Sequence, residues 1–373
     1  MRVAILTSSR ADFGIYLPLL KALQKDSFFE MDIIAFGTHL SLFHGYTLNQ
    51  IEEHGFNVRY KIESLLVSDT KEAIATAMSL TMMKFSAFWQ EHQDDYEIVF
   101  CLGDRYEMFA AVMAGVPFQI KFAHLHGGEK TLGAIDNVFR HAISHAALIH
   151  FTSTEHYKER IKAMIDNSNH VYNTGALSLD NLTSISFLSI DEFQSKWGIN
   201  LLIPTVLTTF HPETVNPDLN ESYAEELVKA IKSTEGYQFL ITMPNSDTEG
   251  NTIRRIFEDK LANENQVFLI ENLGTQSYFT AMKYCKLLLG NTSSGIIEAA
   301  TFEKYVINLG ARQEGRASSD NVFNINIKAE SIIKSIAEIS QLDAYLGPNI
   351  YRRTDGVSLI INTLKTLPEQ HLA

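Results

Sequence analysis

Cysteine is nearly absent from this chain, with two in 373 residues. Cys101 and Cys285 lie far apart inside apolar runs. They read as small buried hydrophobes in a reducing compartment, which excludes a disulfide framework or a thiolate metal site. Long apolar runs are missing too, and none approaches the roughly 20 residues of a membrane span. The opening Met1-Arg-Val-Ala-Ile-Leu-Thr7 leads into a strand-like run too short for a signal-peptide core. These absences predict a cytoplasmic protein with no membrane partner. Positive charge is also short: 31 Lys and Arg stand against 44 Asp and Glu, a formal net charge of −13. Such a balance argues against a general nucleic-acid or anionic-membrane surface. It leaves room for an anionic small ligand, since a few local Arg and His residues can reverse the field in one place. No short-period repeat or low-complexity segment occurs.

What is present is an ordinary globular composition, 45% apolar and 20% charged. The length predicts two domains, each large enough to bury its own core. Short apolar runs alternate with longer helical patterns. Strands are expected at Val3–Leu6, Met31–Phe36, Ile98–Leu102, Ile120–His124 and Ala147–Phe151, then at Thr205–Phe210, Gln238–Thr242, Val267–Ile270, Lys286–Leu289 and Val306–Leu309. Helices are expected at Tyr16–Lys25, Thr70–Gln93, Tyr106–Ala114 and Asp136–His145, and later at Tyr223–Lys232, Thr252–Ala262, Gln276–Tyr284 and Gly295–Glu303. The rhythm implies parallel sheets covered by helices. Ser178–Ser189 interrupts it, so a domain boundary is placed in the 180s. The fold class is α/β, with two doubly wound Rossmann-like domains facing each other across a cleft.

Ligands of such sheets bind beyond the carboxyl ends of the strands, so the residues just after each strand carry the argument. The most informative stretch is Leu287-Leu-Leu-Gly-Asn-Thr-Ser-Ser-Gly-Ile-Ile-Glu298, where an apolar strand hands over to a helix. Free amides and the helix dipole favour an anion there, Thr292, Ser293 and Ser294 add hydroxyls, and Glu298 should point back towards the same turn. The plainer alternative is a helix cap in which Glu298 completes a capping box. After the first strand, Arg10 could reach a phosphate and Gly14 would let a ligand approach, although Asp12 as an N-cap explains the turn equally well. No G-x-G-x-x-G fingerprint is present, so a dinucleotide is not expected.

Gly103-Asp104-Arg105 follows another strand and is either a surface ion pair or, by its position, a cleft motif. The segment His124–His141 holds three glycines, three histidines and the carboxylates Glu129 and Asp136. Its His-x-His lacks further ligands at metal spacing, so acid–base chemistry by Glu129 and Asp136 is the better reading. Gly127 and Gly128 would let the chain turn closely beneath a ligand. In the second half, His211 precedes a proline at a strand end and could donate to a phosphate or protonate a leaving group. Pro244-Asn245-Ser-Asp247 could contact a sugar, and Gly310–Arg316 brings the cations Arg312 and Arg316.

Taken in order, Ser9-Arg-Ala-Asp-Phe-Gly14, Gly103-Asp-Arg105, His126-Gly-Gly-Glu129, Arg140-His-Ala-Ile143, His211-Pro-Glu213, Pro244-Asn245, Gly290-Asn-Thr-Ser-Ser-Gly295 and Arg312-Gln-Glu-Gly-Arg316 resemble the hydrolysing UDP-N-acetylglucosamine 2-epimerases of bacterial sialic-acid biosynthesis, the NeuC type. The likeness spans essentially the whole chain. It implies a glycosyltransferase-B-like fold with domains at 1–184 and 185–355 and a helix over 356–373 returning to the first. It implies no metal and no redox cofactor, and a homodimer or homotetramer assembled through the first domain, with which an apolar stripe on Thr70–Gln93 is compatible.

Position by position, the resemblance assigns nucleotide binding to Arg10, Gly14, Arg105, His211, Asn245, Leu273 (through its backbone), Thr292, Ser293, Glu298 and Arg312, with Ser294 beside them. It assigns acid–base work to Asp104, Glu129 and Asp136, supported by His211. The chain departs from several relatives in having His, not Glu, at position 126, and in a Glu129–Asp136 spacing one residue longer than in the animal bifunctional relatives. The implied reaction converts UDP-N-acetylglucosamine and water to N-acetylmannosamine and UDP through 2-acetamidoglucal. The same chemistry on UDP-2,4-diacetamido-2,4,6-trideoxyglucose, a non-hydrolysing epimerase, and a catalytically silent nucleotide-sugar sensor are the alternatives.

Overall fold

Two all-parallel sheets carry the chain, one of seven strands and one of six. The computed structural model describes residues 1–66, 68, 70–130, 132, 136–213, 217–244 and 250–367, without the side chains at 44, 184, 217, 250 and 251. One compact unit comprises Met1–Glu129, Ile135–Thr183 and Arg353–Ala373, and the other Lys130–Ala134 and Ser184–Arg352.

The first unit contains β1 (Arg2–Thr7), β2 (Glu30–Phe36), β3 (Val58–Ile62), β4 (Ile98–Leu102), β5 (Phe122–Leu125), β6 (Ala147–Thr152) and β7 (Val171–Asn173), in the order β3-β2-β1-β4-β5-β6-β7. Side chains alternate across a strand, and here both faces are apolar. Val3 and Ile5 join one core with Tyr16, Leu19 and Leu20, while Ala4 and Leu6 join another with Phe36, Phe85 and Trp89. Covering on both faces is why the central strands read as continuous apolar runs. The helix Lys71–His92 buries Ala77, Thr81, Phe85 and Trp89 at four-residue spacing. Its apolar stripe is therefore taken up by its own core, and Met82 and Met83 stay exposed. The closing helix Gly356–Thr366 packs Ile360 and Leu364 into the first core, and Lys365 pairs with Asp26 at 2.6 Å.

The second unit contains β8 (Thr205–Thr209), β9 (Gln238–Thr242), β10 (Val267–Ile270), β11 (Leu287–Gly290), β12 (Tyr305–Leu309) and β13 (Val322–Ile325), in the order β10-β9-β8-β11-β12-β13. Val206, Leu287 and Leu289 face one core, Leu207 and Leu288 the other. In each sheet the strand order reverses beside the first strand of the unit, between β1 and β4 and between β8 and β11. Such switch points are where loops diverge and leave room for a ligand.

Among the described residues no helix is long and apolar enough to cross a membrane, and no three His, Cys, Asp or Glu side chains gather as a metal site. Both cysteines are free and buried, and burial pushes the Cys285 thiol up to about 12, which leaves it unreactive.

Candidate active site

At the carboxyl end of β1 the chain turns directly into the helix Arg10–Lys25, six residues before the expected start. Ser9, not Asp12, is the N-cap: its hydroxyl accepts from the Asp12 amide at 3.3 Å. Asp12 ties the turn down instead. Its Oδ2 accepts from the Ser8 amide at 2.9 Å and the Ser8 hydroxyl at 2.6 Å, and its Oδ1 accepts from the Ser9 hydroxyl at 2.9 Å. Arg10 is thereby held exposed at the first helical position, and the space beside Gly14 is open.

The ends of β4 and β5 carry a denser arrangement. Asp104 and Arg105 do not pair with each other. Asp104 is ion-paired with Arg140, and Arg105 with the buried Glu107 at 2.8 Å. Arg140, 4% exposed, comes from the second turn of the helix Asp136–Ala146. One guanidinium nitrogen reaches Asp104, and the other donates to the His126 carbonyl at 2.6 Å and lies 3.8 Å from Glu129 Oε2. Glu129 is buried, its Oε1 accepting from the Ser153 hydroxyl at 2.7 Å and from His126 Nδ1 at 2.9 Å. A carboxylate only accepts, so Nδ1 carries the proton of that bond.

Asp136 opens the helix. Burial first, and the nearby Asp104 charge second, push its carboxyl above the ordinary range, against the pull of Arg140 and Arg105. His124, one strand residue before the turn, contacts the Gly103 carbonyl through Nε2 at 2.9 Å and Ser144 through Nδ1 at 3.0 Å, and burial lowers it to about 3. It is therefore a neutral structural imidazole that joins β4 to β5.

The glycines of this turn answer to protein contacts. Gly128 has φ +79°, and a Cβ there would lie 2.8 Å from the Tyr157 carbonyl, while one on Gly127 would press on His124 and Ser144 at 3.0 Å. The close turn expected of these glycines is packed against His124, Ser144, Tyr157 and Ile161. His126 itself has φ +60°, a region that costs a non-glycine residue about 1–3 kcal/mol.

In the second unit, Gly290 ends β11 at φ +139°, and a Cβ there would fall 1.9 Å from the Thr209 carbonyl. Only glycine lets β11 run on beside β8 into the polar turn. Asn291, fully buried, grips the backbone of His211 twice: Oδ1 accepts from its amide at 2.7 Å and Nδ2 donates to its carbonyl at 2.8 Å. The Asn291 carbonyl in turn accepts from Arg312 at 3.1 Å and Gln313 at 2.8 Å. Buried Glu213 joins the same loops by accepting from the Ala311 amide at 2.6 Å.

Thr292 caps the helix Ser293–Ile297, accepting from the Ser294 amide at 3.4 Å. The third helical position is Gly295, and Glu298 sits at the other end of the five-residue helix. A capping box between Thr292 and Glu298 is therefore excluded, and Glu298 is the C-cap, its amide donating to the Ser294 carbonyl at 3.0 Å. Leu273 is buried at the N-cap of the helix Gly274–Tyr284. Asn245 lies outside the described residues.

Thus His211, Asn291, Thr292 and Arg312 are brought together in the second unit, and Asp104, Arg105, Glu129 and Asp136 in the first. Sequence reasoning gave no role to Arg140, Asn291, Ser153 or Glu107. For Arg140 and Asn291 a signal existed, since both stand inside the motifs quoted above. Ser153 and Glu107 carried none, because a lone serine or glutamate near a strand end is common.

A model of the family described as UDP-N-acetylglucosamine 2-epimerase matches residues 21–365. A GDP/UDP-N,N'-diacetylbacillosamine 2-epimerase (hydrolyzing) of Campylobacter jejuni is 33% identical over 87% of this chain and 84% of its own. The polysialic acid biosynthesis protein P7 of Escherichia coli is 30% identical over 92% and 87%. Among solved structures, the UDP-GlcNAc 2-epimerase of Neisseria meningitidis bound to UDP-GlcNAc superposes with a TM-score of 0.81 at 17% identity, covering 98% of this chain and 100% of that one. The two units are accordingly doubly wound α/β domains of the glycosyltransferase-B-like kind.

Proposed function

Because the chain belongs to the UDP-N-acetylglucosamine 2-epimerase family, we propose that it is a hydrolysing epimerase that converts UDP-N-acetylglucosamine and water to N-acetylmannosamine and UDP. The observation that carries this reading is the unequal treatment of two neighbouring carboxyl groups. Asp104 is ion-paired with Arg140, whereas Asp136 is pushed by burial and by Asp104 towards its neutral acid. A carboxyl raised by burial beside an ion-paired carboxylate is suited to the acid role.

The reaction begins with loss of the C2 proton and departure of UDP from C1, which leaves 2-acetamidoglucal. Water then adds at C1, and a proton reaches C2 on the face opposite to the one it left. Asp136 is the acid for that last step, and Asp104 and Glu129 are the other carboxylates of the site. No carbonyl acidifies the C2 proton, so the leaving group must share the barrier, and donors aimed at the diphosphate lower it. His211, Thr292, Ser293, Ser294, Arg10, Arg105 and Arg312 supply such donors, Gly14, Asn245 and the backbone at Leu273 complete the nucleotide contacts, and Glu298 takes the ribose diol. The steps as written need neither metal nor redox cofactor.

Incubation with UDP-N-acetylglucosamine in heavy water, followed by NMR, tests the scheme. The expected products are UDP and N-acetylmannosamine deuterated at C2. UDP-N-acetylmannosamine instead would mean the non-hydrolysing reaction. The Campylobacter relative's name supports a second substrate, and turnover of UDP-2,4-diacetamido-2,4,6-trideoxyglucose alone would select it.

Glu298→Ala tests the nucleotide half. Loss of a carboxylate accepting from a diol removes charged hydrogen bonds worth about 1.5–3 kcal/mol, so UDP affinity measured by calorimetry should fall roughly tenfold to a hundredfold. Unchanged affinity would remove Glu298 from the nucleotide site.

A further inference from the structure

We propose that His126 is the base that takes the C2 proton, and that Glu129 acts on the reaction only by positioning His126. This rests on the hydrolysing reading above. Each carboxylate of the cluster already has an engagement. Asp104 is ion-paired with Arg140, Asp136 is pushed towards the neutral acid, and Glu129 is buried against Ser153 and His126. Among the described residues of the cluster, the His126 imidazole is the one with an unengaged ring nitrogen next to Glu129.

Its geometry is that of an oriented base. Nδ1 donates to Glu129 at 2.9 Å, so in the neutral ring the lone pair lies on Nε2. Nε2 is buried and has no hydrogen-bond partner among the described residues. Buried polar atoms nearly always find a partner, and one left over on a ring held by Glu129, next to a carbonyl held by Arg140, is an atom that a ligand completes. The turn is also built around this side chain. His126 stands at φ +60°, its amide donates to the Phe151 carbonyl at 2.9 Å, its carbonyl accepts from Arg140, Gly127 follows in a tight place, and Gly128 in one where a Cβ would meet the Tyr157 carbonyl. Strain of that kind persists where the surroundings over-determine it. Base, carboxylate and third group stand in the relation of an activated histidine, with Ser153 holding the carboxylate from the end of β6.

The step balances. Nε2 takes the proton from C2, the C2–H electron pair becomes the C1–C2 double bond, and the C1–O bond breaks with its pair leaving on UDP. The resulting imidazolium keeps its Nδ1 proton on Glu129, whose charge compensates it. Its new proton is lost to solvent, and Asp136 then delivers a different proton to C2. Deuterium from heavy water therefore enters the product.

His126→Asn and Glu129→Gln decide the matter, each compared with the parent on whichever UDP-sugar the parent hydrolyses. His126→Asn should bind UDP within twofold of the parent and lose about 10²–10⁴-fold in kcat. Supplied with 2-acetamidoglucal and UDP, it should still form N-acetylmannosamine, because hydration does not use this base. Glu129→Gln keeps an acceptor for Nδ1 but removes the charge, so kcat should fall about 10²-fold with KM within twofold. A His126→Asn variant that retains a tenth of the parent kcat, or that loses hydration of the glucal equally, overturns the proposal. Glu129→Gln with kcat and KM both unchanged overturns the positioning role. If the parent itself releases no UDP from either sugar nucleotide, the hydrolysing reading has failed rather than the assignment of its base.

Discussion

Asp136→Asn is expected to bind UDP as the parent does and to form no N-acetylmannosamine, with kcat reduced at least 10³-fold. The variant keeps the volume and polarity of the side chain but cannot deliver a proton to C2. General acid catalysis is worth about 10²–10⁴-fold by itself, and here no carbonyl helps to stabilise the intermediate. If Asp136 acts in the second half of the reaction, 2-acetamidoglucal should accumulate and be visible by NMR. The same substitution makes a stability prediction whose sign follows from linkage. Burial, then Asp104, raises the Asp136 carboxyl above its ordinary value. Ionisation of this group therefore opposes folding, fully so above the raised value and not at all below the ordinary value of about 4. Asparagine removes that cost, so at neutral pH the variant should melt no lower than the parent. The difference should shrink as pH falls towards about 4. A variant that melts clearly lower at neutral pH, or that still forms N-acetylmannosamine at a tenth of the parent rate, removes Asp136 from the acid role.

Arg140→Met should strongly destabilise the first unit. The guanidinium is 4% exposed and serves Asp104, Glu129 and the His126 carbonyl at once. Methionine fills much of the space but leaves two carboxylates and a carbonyl without their cation. Breaking a buried pair from one side costs about 3–5 kcal/mol, which for a unit of this size lowers the unfolding temperature by roughly 10 °C. Lysine restores the charge but not the planar fork that reaches Asp104 and the His126 carbonyl together. Arg140→Lys should accordingly recover part of the stability and little of kcat. Thermal unfolding of both variants, with steady-state rates, checks this. If Arg140→Met unfolds within 2 °C of the parent, roughly what about 1 kcal/mol would produce, the guanidinium is not the organiser of the site.

How much of this was legible depends on what each residue has to do. Strands β4 and β9 stand where the apolar runs placed them, because a strand buried on both faces is mostly apolar. The strands that pattern reading passed over, Val58–Ile62, Val171–Asn173 and Val322–Ile325, are all sheet edges. They pair on one side only, are short or half exposed, and so carry mixed side chains. The early start of the helix Arg10–Lys25 was hidden for a related reason. Its first turn is held by Ser8, Ser9 and Asp12 through polar contacts, not by an apolar face.

The sequence by itself determined the class of fold and where most strands lie along the chain, and it nominated the loops after them as candidate ligand contacts. Local rules suffice for these, since alternation, capping and the position after a strand are properties of neighbours in the chain. Only the tertiary structure decided which charges meet. Asp104 and Arg140 are 36 residues apart, Glu129 and Ser153 are 24, and His211 and Asn291 are 80. Partners at such separations are chosen by which strands lie side by side and by what burial makes costly to leave unpaired. For that reason Arg105 pairs with Glu107 and not Asp104, Glu129 accepts from the His126 imidazole, and burial with Asp104 raises the Asp136 carboxyl.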